Sequence, residues 1–166
     1  PIHFGHLRLA EEVAEALPLE QVRFVPAGTP PLRDVLRTAS GHRLAMVRLA
    51  IEGNSRFVAD DREIRRGGVS YTVETLESLR RDFGKNTALC LLLGADAFAK
   101  LTGWHRWRDL FELAHLVIAG RPGHGLTSAG AELSGELLAE WRARAAASAE
   151  QLRESDHGLI HPAPTT

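Results

Sequence analysis

His3 and His6 flank Gly5 in the opening stretch "PIHFGH", and the residues that follow, "LRLAEEVAEAL", carry apolar and charged positions at helical spacing. Leu7, Val13 and Leu17 fall on one side of that helix, with Arg8, Glu11, Glu12 and Glu15 largely on the other. A His-x-Gly-His step at a helix start combines free backbone N–H groups, the positive end of the helix dipole and two imidazole donors. Its glycine lets a ligand come close to the backbone. The chemistry this suits is anion binding, phosphate above all. Histidines at helix starts are also ordinary surface residues, so the step needs a context.

Further chemistry-bearing stretches fall at the ends of apolar runs. Gly94 and Asp96 follow "ALCLLLG" directly, so Asp96 could accept hydrogen bonds from ribose hydroxyls while Gly94 admits a sugar or base; Asp96 could equally cap the next helix. Arg121 stands just past "HLVIAG", and Arg33 follows Pro30 and Pro31; each suits a phosphate contact, and each could simply be solvated. Trp104 and Trp107 in "TGWHRW" offer aromatic faces for a planar heterocycle, or for the core. Thr72 in "SYT" could offer a carboxylate site at a helix start, or act only as a cap.

The elements that must position these residues alternate. "QVRFVPAG" reads as a strand running into a loop that Pro30 and Pro31 keep irregular, and Ser40 is placed to cap "GHRLAMVRLAIEG", which Gly53 ends. "RFVADD" is a second strand, and Ser70 or Thr72 opens the helix that Gly84 closes. "TALCLLLGAD" is the most apolar strand, and its lack of alternation predicts burial on both faces of a sheet. "AFAKL" is a short helix, "HLVIAG" a strand, and "GLIHPA" a further strand. The stretch from Thr127 to Glu154 reads as an amphipathic helix, with Leu133, Leu137 and Trp141 four apart. This alternation predicts an α/β fold with a doubly wound parallel sheet and helices on both faces.

Composition bounds the partners. The chain has 166 residues, 44% hydrophobic and 25% charged, which suits a single globular domain over 1–166. Lys plus Arg is 20 against 21 for Asp plus Glu, so no basic field argues for nucleic acid. The lone cysteine, Cys90, reads as a core thiol, which fits a reducing cytoplasm, and no apolar run approaches a membrane span. The residues alone suggest no metal-ligand set.

Taken in order, "PIHFGHLRLAEE", "FVPAGTPP", "HRLAMVRLAI", "SYTVETL", "LLLGADAFAKLTGWHRWRDLF" and "HLVIAGRPG" resemble the bacterial nicotinate mononucleotide adenylyltransferases, from Pro1 to about Gly123. The His-x-Gly-His step is shared across the wider nucleotidyltransferase superfamily, whereas "SYT", "GAD", "TGW" and "RPG" favour the nicotinate branch. The resemblance implies a Rossmann-like fold. It also implies that the 5'-phosphate of nicotinate mononucleotide attacks the α-phosphorus of ATP, giving deamido-NAD and pyrophosphate with Mg2+ and no covalent intermediate. It assigns His3 and His6 to the ATP phosphates, beside Gly5, with His6 the stronger catalytic candidate. Gly94 and Asp96 fall to the adenosine side. Thr72, Trp104 and the backbone at His105 fall to the nicotinate ring and its carboxylate, and Arg121 to the mononucleotide phosphate.

Two departures matter. A "GGTFD" turn and a first strand usually precede the residue equivalent to Pro1, and a C-terminal ATP-contacting motif usually follows; neither is in the sequence, so the chain reads as an internal fragment. The first strand would lie mid-sheet, so its loss is expected to leave a gap between apolar strands. Leu32 stands where the resembled family often has histidine, which leaves Arg33 as the substitute phosphate contact of that loop. A phosphopantetheine adenylyltransferase and a non-catalytic nucleotide-binding module stay open as alternatives, as does a homo-oligomer.

Overall fold

Helix α1, Phe4–Ala16, buries Ala10, Val13 and Ala14; of the side predicted to be apolar, Val13 and Leu17 are buried and Leu7 is half-buried. The computed structural model describes residues 2–29, 39–120, 133 and 135–163. These form two compact units, Pro1–Tyr71 and Thr72–Thr166. Arg33 and Arg121 lie outside the described residues.

In the first unit, strands β1 (Val22–Phe24) and β2 (Phe57–Ala59) pair in parallel, Val22 beside Phe57. Helix α2, Ser40–Ala50, connects them, followed after β2 by the short helix α3, Arg62–Arg66. The helix begins at Ser40 itself, with Ala39 at the cap position and no side-chain bond there, so the expected serine cap is corrected: Ser40 has entered the first turn. Ala10, Val47, Ile51 and Phe57 pack as one cluster, with Leu7, Val22 and Phe24 against it. Phe24 meets Phe57 edge-on at 5.0 Å.

The second unit opens with α4, Thr72–Phe83, which Gly84 ends at φ +83, as its position past the last apolar turn predicts. A parallel sheet in the order β3-β4-β5 follows, from Cys90–Gly94, His115–Ala119 and Ile160–Pro162. Between β3 and β4 lie α5 (Ala95–Ala99), two 3-10 turns (Leu101–Gly103 and Trp107–Asp109) and α6 (Leu110–Leu113).

The apolar run of β3 is not the most buried strand. Only Leu93 of β3 is buried, whereas all five residues of β4 are. The reason is position: among the described residues β4 has strands on both edges and β3 on one. Cys90 is accordingly half-buried, and desolvation still pushes its thiol up to about 11, an inert group at neutral pH.

Among the described residues, the stretch predicted as one long helix is broken into α7 (Gly135–Arg144) and α8 (Ala149–Glu154). Between them Ala145 bridges to Ile160, and the Ala146 N–H donates to the Ile160 carbonyl. Ser148 then caps α8 through the Gln151 N–H, while Gln151 accepts from Ala147. The edge of β5 thus competes successfully with helical continuation.

His115, fully buried in β4, holds this end together. Its Nε2–H faces the carbonyls of Leu152 and Ser155 at 2.9 and 2.8 Å, and its Nδ1 accepts from the Leu159 N–H at 3.1 Å. The ring is therefore neutral with the proton on Nε2. Burial, outweighing the two carbonyl acceptors, holds its pKa below the ordinary value. Its contribution to stability is thus fully present above about pH 6.5 and is lost as the pH falls through its folded pKa. Thermal melts between pH 7.5 and 5 should show the parent losing stability on acidification more steeply than His115→Gln; parallel curves would dismiss this role.

Candidate functional site

The two histidines are organised by each other. His3 is the N-cap residue of α1, and its Nδ1 accepts from the Gly5 N–H at 3.1 Å, while the His3 N–H donates to His6 Nδ1 at 3.3 Å. This is a reciprocal capping box built from imidazoles. The rings stack with centroids 3.8 Å apart. Because both Nδ1 atoms accept, each ring in its neutral form carries its proton on Nε2. Burial, then the neighbouring His3, holds the His6 pKa below its ordinary value, so His6 is an uncharged donor at neutral pH.

Gly5 has a reason beyond ligand access. A Cβ there would lie 3.0 Å from the His3 ring atoms Cε1 and Nδ1, so any side chain would push the capping imidazole aside. The exposed start of α1 therefore presents two directed imidazole N–H donors at the positive end of the helix dipole. A groove of about 550 Å³ beside the same helix, lined by Phe4, Gly5, Leu7 and Phe57 among others, includes neither histidine in its wall.

Also in the first unit, the end of β1 leads into Gly28 and Thr29. Gly28 donates to Ser70 Oγ at 3.1 Å, its carbonyl accepts from Arg43 at 3.1 Å, and a Cβ on it would meet the Glu63 carbonyl at 2.8 Å. Asp60, just past β2 and only 4% exposed, accepts from Arg23 Nε at 2.9 Å, Arg62 Nε at 2.8 Å and the Arg62 N–H at 3.0 Å. Sequence reasoning passed over this triad, since the Arg23 to Asp60 contact spans 37 positions and has no local signature.

In the second unit, Gly94 and Asp96 stand where β3 passes into α5. Gly94 is the N-cap residue and Asp96 lies in the first turn, so Asp96 is not the cap. Gly94 has an ordinary φ of −71, and a Cβ on it would meet nothing within 4 Å. Neither strain nor packing calls for glycine there; what its absence of side chain leaves is open space at the carboxyl end of a strand.

Thr72 is the first residue of α4. Trp104 and Trp107 are both half-buried; Trp107 packs edge-on to Phe111 at 6.5 Å and carries the Arg108 guanidinium 4.3 Å from its ring centroid. Trp107 therefore belongs to the packing. His105 is exposed beside Trp104. Arg106 joins this turn to α4, with its NH1 2.8 Å from Glu77 and its Nε 2.8 Å from Asp109. The structure thus groups His3, Gly5 and His6 in one unit, and Thr72, Gly94, Asp96, Trp104 and His105 in the other.

The family model described as Cytidylyltransferase-like matches residues 1–155. The chain belongs to this family. Its fold is accordingly the Rossmann-like nucleotidyltransferase fold, with strands that pair in parallel and helices between them. This cytidylyltransferase-like chain is 49% identical over 160 residues to a protein of Dechloromonas aromatica (strain RCB) named "Probable nicotinate-nucleotide adenylyltransferase", covering 96% of the chain and 73% of that relative. A protein of the same name from Laribacter hongkongensis (strain HLHK9) is 49% identical over 146 residues, 88% of the chain and 64% of the relative. Another, from Marinobacter nauticus (strain ATCC 700491 / DSM 11845 / VT8), is 42% identical over 160 residues, 96% and 72%. The chain thus spans roughly two thirds to three quarters of the length of these relatives. No helix among the described residues is long and apolar enough to cross a membrane.

Proposed function

We propose that this protein transfers the adenylyl group of ATP to the 5'-phosphate of nicotinate mononucleotide, releasing pyrophosphate and forming deamido-NAD in NAD biosynthesis. The observation that carries the reading is the identity of 42 to 49% to relatives named for this reaction, over 88 to 96% of the chain. The paired Nε2–H donors at the start of α1 support it.

The acceptor phosphate oxygen forms a bond to the α-phosphorus of ATP as the bond from that phosphorus to the bridging oxygen breaks. Catalysis is then a matter of alignment and of donors placed where charge accumulates. His3 and His6 hold the ATP phosphates, with His6 on the departing pyrophosphate side. The space at Gly94 and the carboxylate of Asp96 take the adenosine. Thr72, Trp104 and the His105 backbone hold the nicotinate ring and carboxylate, Arg121 the mononucleotide phosphate, and Arg33 a phosphate in its loop. Among the described residues no three His, Cys, Asp or Glu side chains converge as a metal cage. Mg2+ would be carried on the triphosphate, where its chemistry is charge neutralisation. A reaction that consumes ATP suits a cytoplasmic protein.

Incubation with ATP and either nicotinate mononucleotide, nicotinamide mononucleotide or phosphopantetheine tests the reading. Deamido-NAD and pyrophosphate in equal amounts are expected from the first; turnover of phosphopantetheine alone, or ATP binding without turnover, overturns it. If Trp104 stacks on the pyridine ring, Trp104→Ala removes a contact present in both ground and transition states. It should raise the acceptor KM about tenfold, with a smaller fall in kcat. A folded variant with unchanged acceptor KM would return Trp104 to a packing role.

A further inference from the structure

Arg106 has φ 51 and ψ 43, and it is the single non-glycine residue with positive φ among the described residues. Glycine would take this left-handed conformation without strain, so an arginine there has to be explained by what its side chain does. The guanidinium is shared between two carboxylates on different elements, Glu77 of α4 and Asp109 of the following 3-10 turn, both at 2.8 Å. The backbone around it is bracketed as well: the Trp104 N–H donates to Leu101 at 2.9 Å and the Asp109 N–H to the Arg106 carbonyl at 3.0 Å.

These ion pairs are open to water, with the Arg106 side chain 43% exposed and its partners 34% and 49%. Exposed pairs add little to stability, so stabilisation does not account for a strained arginine. Their geometry does account for it. Glu77 stands five positions after Thr72 on α4, roughly 7.5 Å along the helix, and Arg106 directly follows Trp104 and His105. The bond from Arg106 to Glu77 therefore ties the turn that follows Trp104 and His105 to the helix that begins at Thr72.

We propose that Arg106 is a positioning residue for the acceptor nucleotide: forked between Glu77 and Asp109, it holds the Trp104–His105 turn in its left-handed exit and in register with the start of α4. The inference rests on the functional reading above, in which those three residues receive the pyridine ring and its carboxylate. Arg106 touches no reacting atom. Its loss affects how well the acceptor is held and leaves the ATP site alone.

The test is steady-state kinetics with nicotinate mononucleotide and ATP varied separately, on the parent, Arg106→Gly, Glu77→Gln and the double variant. Arg106→Gly adopts the same backbone more easily and removes only the fork. It should raise the acceptor KM about tenfold, with ATP KM and kcat within about twofold and an unchanged melting temperature. Glu77→Gln should raise the acceptor KM severalfold, and the double variant should be no worse than Arg106→Gly, since both cut one connection. Arg106→Lys, which keeps the charge and loses the fork, should recover part of the affinity. A parent that makes no deamido-NAD overturns the functional reading and this inference with it. An active parent with an unmoved acceptor KM in folded Arg106→Gly, or additive effects in the double variant, overturns the inference alone. Should Arg106→Gly not fold, Glu77→Gln decides on the same readout.

Discussion

His6→Ala should lower kcat for adenylyl transfer by about a hundredfold to a thousandfold, with ATP and acceptor KM values comparatively little changed. During transfer, negative charge moves onto the bridging oxygen and the departing pyrophosphate, so a donor at the start of α1 counts most at the transition state. His6 is fitted to that work as a neutral donor, because its Nδ1 is occupied by the His3 N–H and its pKa is held down by burial and by His3. The same bond complicates the variant, since alanine also removes half of the capping box, worth about 1 kcal/mol in a typical helix. Glutamine at this third helical position can accept from the cap N–H, as in ordinary capping boxes. His6→Gln should therefore recover the stability lost by His6→Ala while leaving turnover depressed. His3→Ala should also be damaging, partly through ATP affinity. Near-normal turnover in folded His6→Ala would remove His6 from the reaction.

What could be read in the sequence was what is local. The His-x-Gly-His step, the α1 side of Leu7, Val13 and Leu17, the stop at Gly84 and the last strand at Ile160 each depend on residues within a few positions of one another. Burial of strands depended on neighbours far along the chain, and there the composition of β3 misled: with a partner on one edge only among the described residues, it is less buried than β4, which has one on each. The break between α7 and α8 had a local sign in Ser148 and Gln151, a cap followed three residues later by glutamine, which the alanine-rich surroundings masked. Arg106 had none, because nothing in "HRW" announces a left-handed residue where glycine or asparagine would. The site residues follow the same division. His3, Gly5 and His6 were legible as a group, whereas the Arg106–Glu77 connection, 29 positions apart, was visible only in the fold.

Asp60→Asn should destabilise the protein by about 2–3 kcal/mol, a large share of the stability of a typical domain. Burial by itself would push the Asp60 carboxyl up, but its hydrogen bonds from Arg23 and from Arg62, and the Arg62 charge, outweigh burial and hold it below the usual carboxylate range. The Arg62 side chain is only 10% exposed and Arg23 27%, so the substitution takes the Asp60 charge away from one largely buried guanidinium and one part-shielded. An amide can satisfy one donor with its oxygen, but its NH2 group opposes the other. The cost falls where β1 and β2 meet, because the Asp60 N–H also donates to the Phe24 carbonyl at 2.9 Å and extends the ladder. The sign of the pH dependence follows from the lowered pKa. The carboxylate contributes fully above about pH 4 and its contribution is lost as the pH falls through the folded pKa, so the gap between parent and Asp60→Asn should close on acidification. Chemical denaturation followed by far-ultraviolet circular dichroism, at pH 7 and through the acid range, measures both quantities. Stabilities within about 0.5 kcal/mol at pH 7, the range of an ordinary surface change, would show that the two arginines find other partners once the carboxylate is gone.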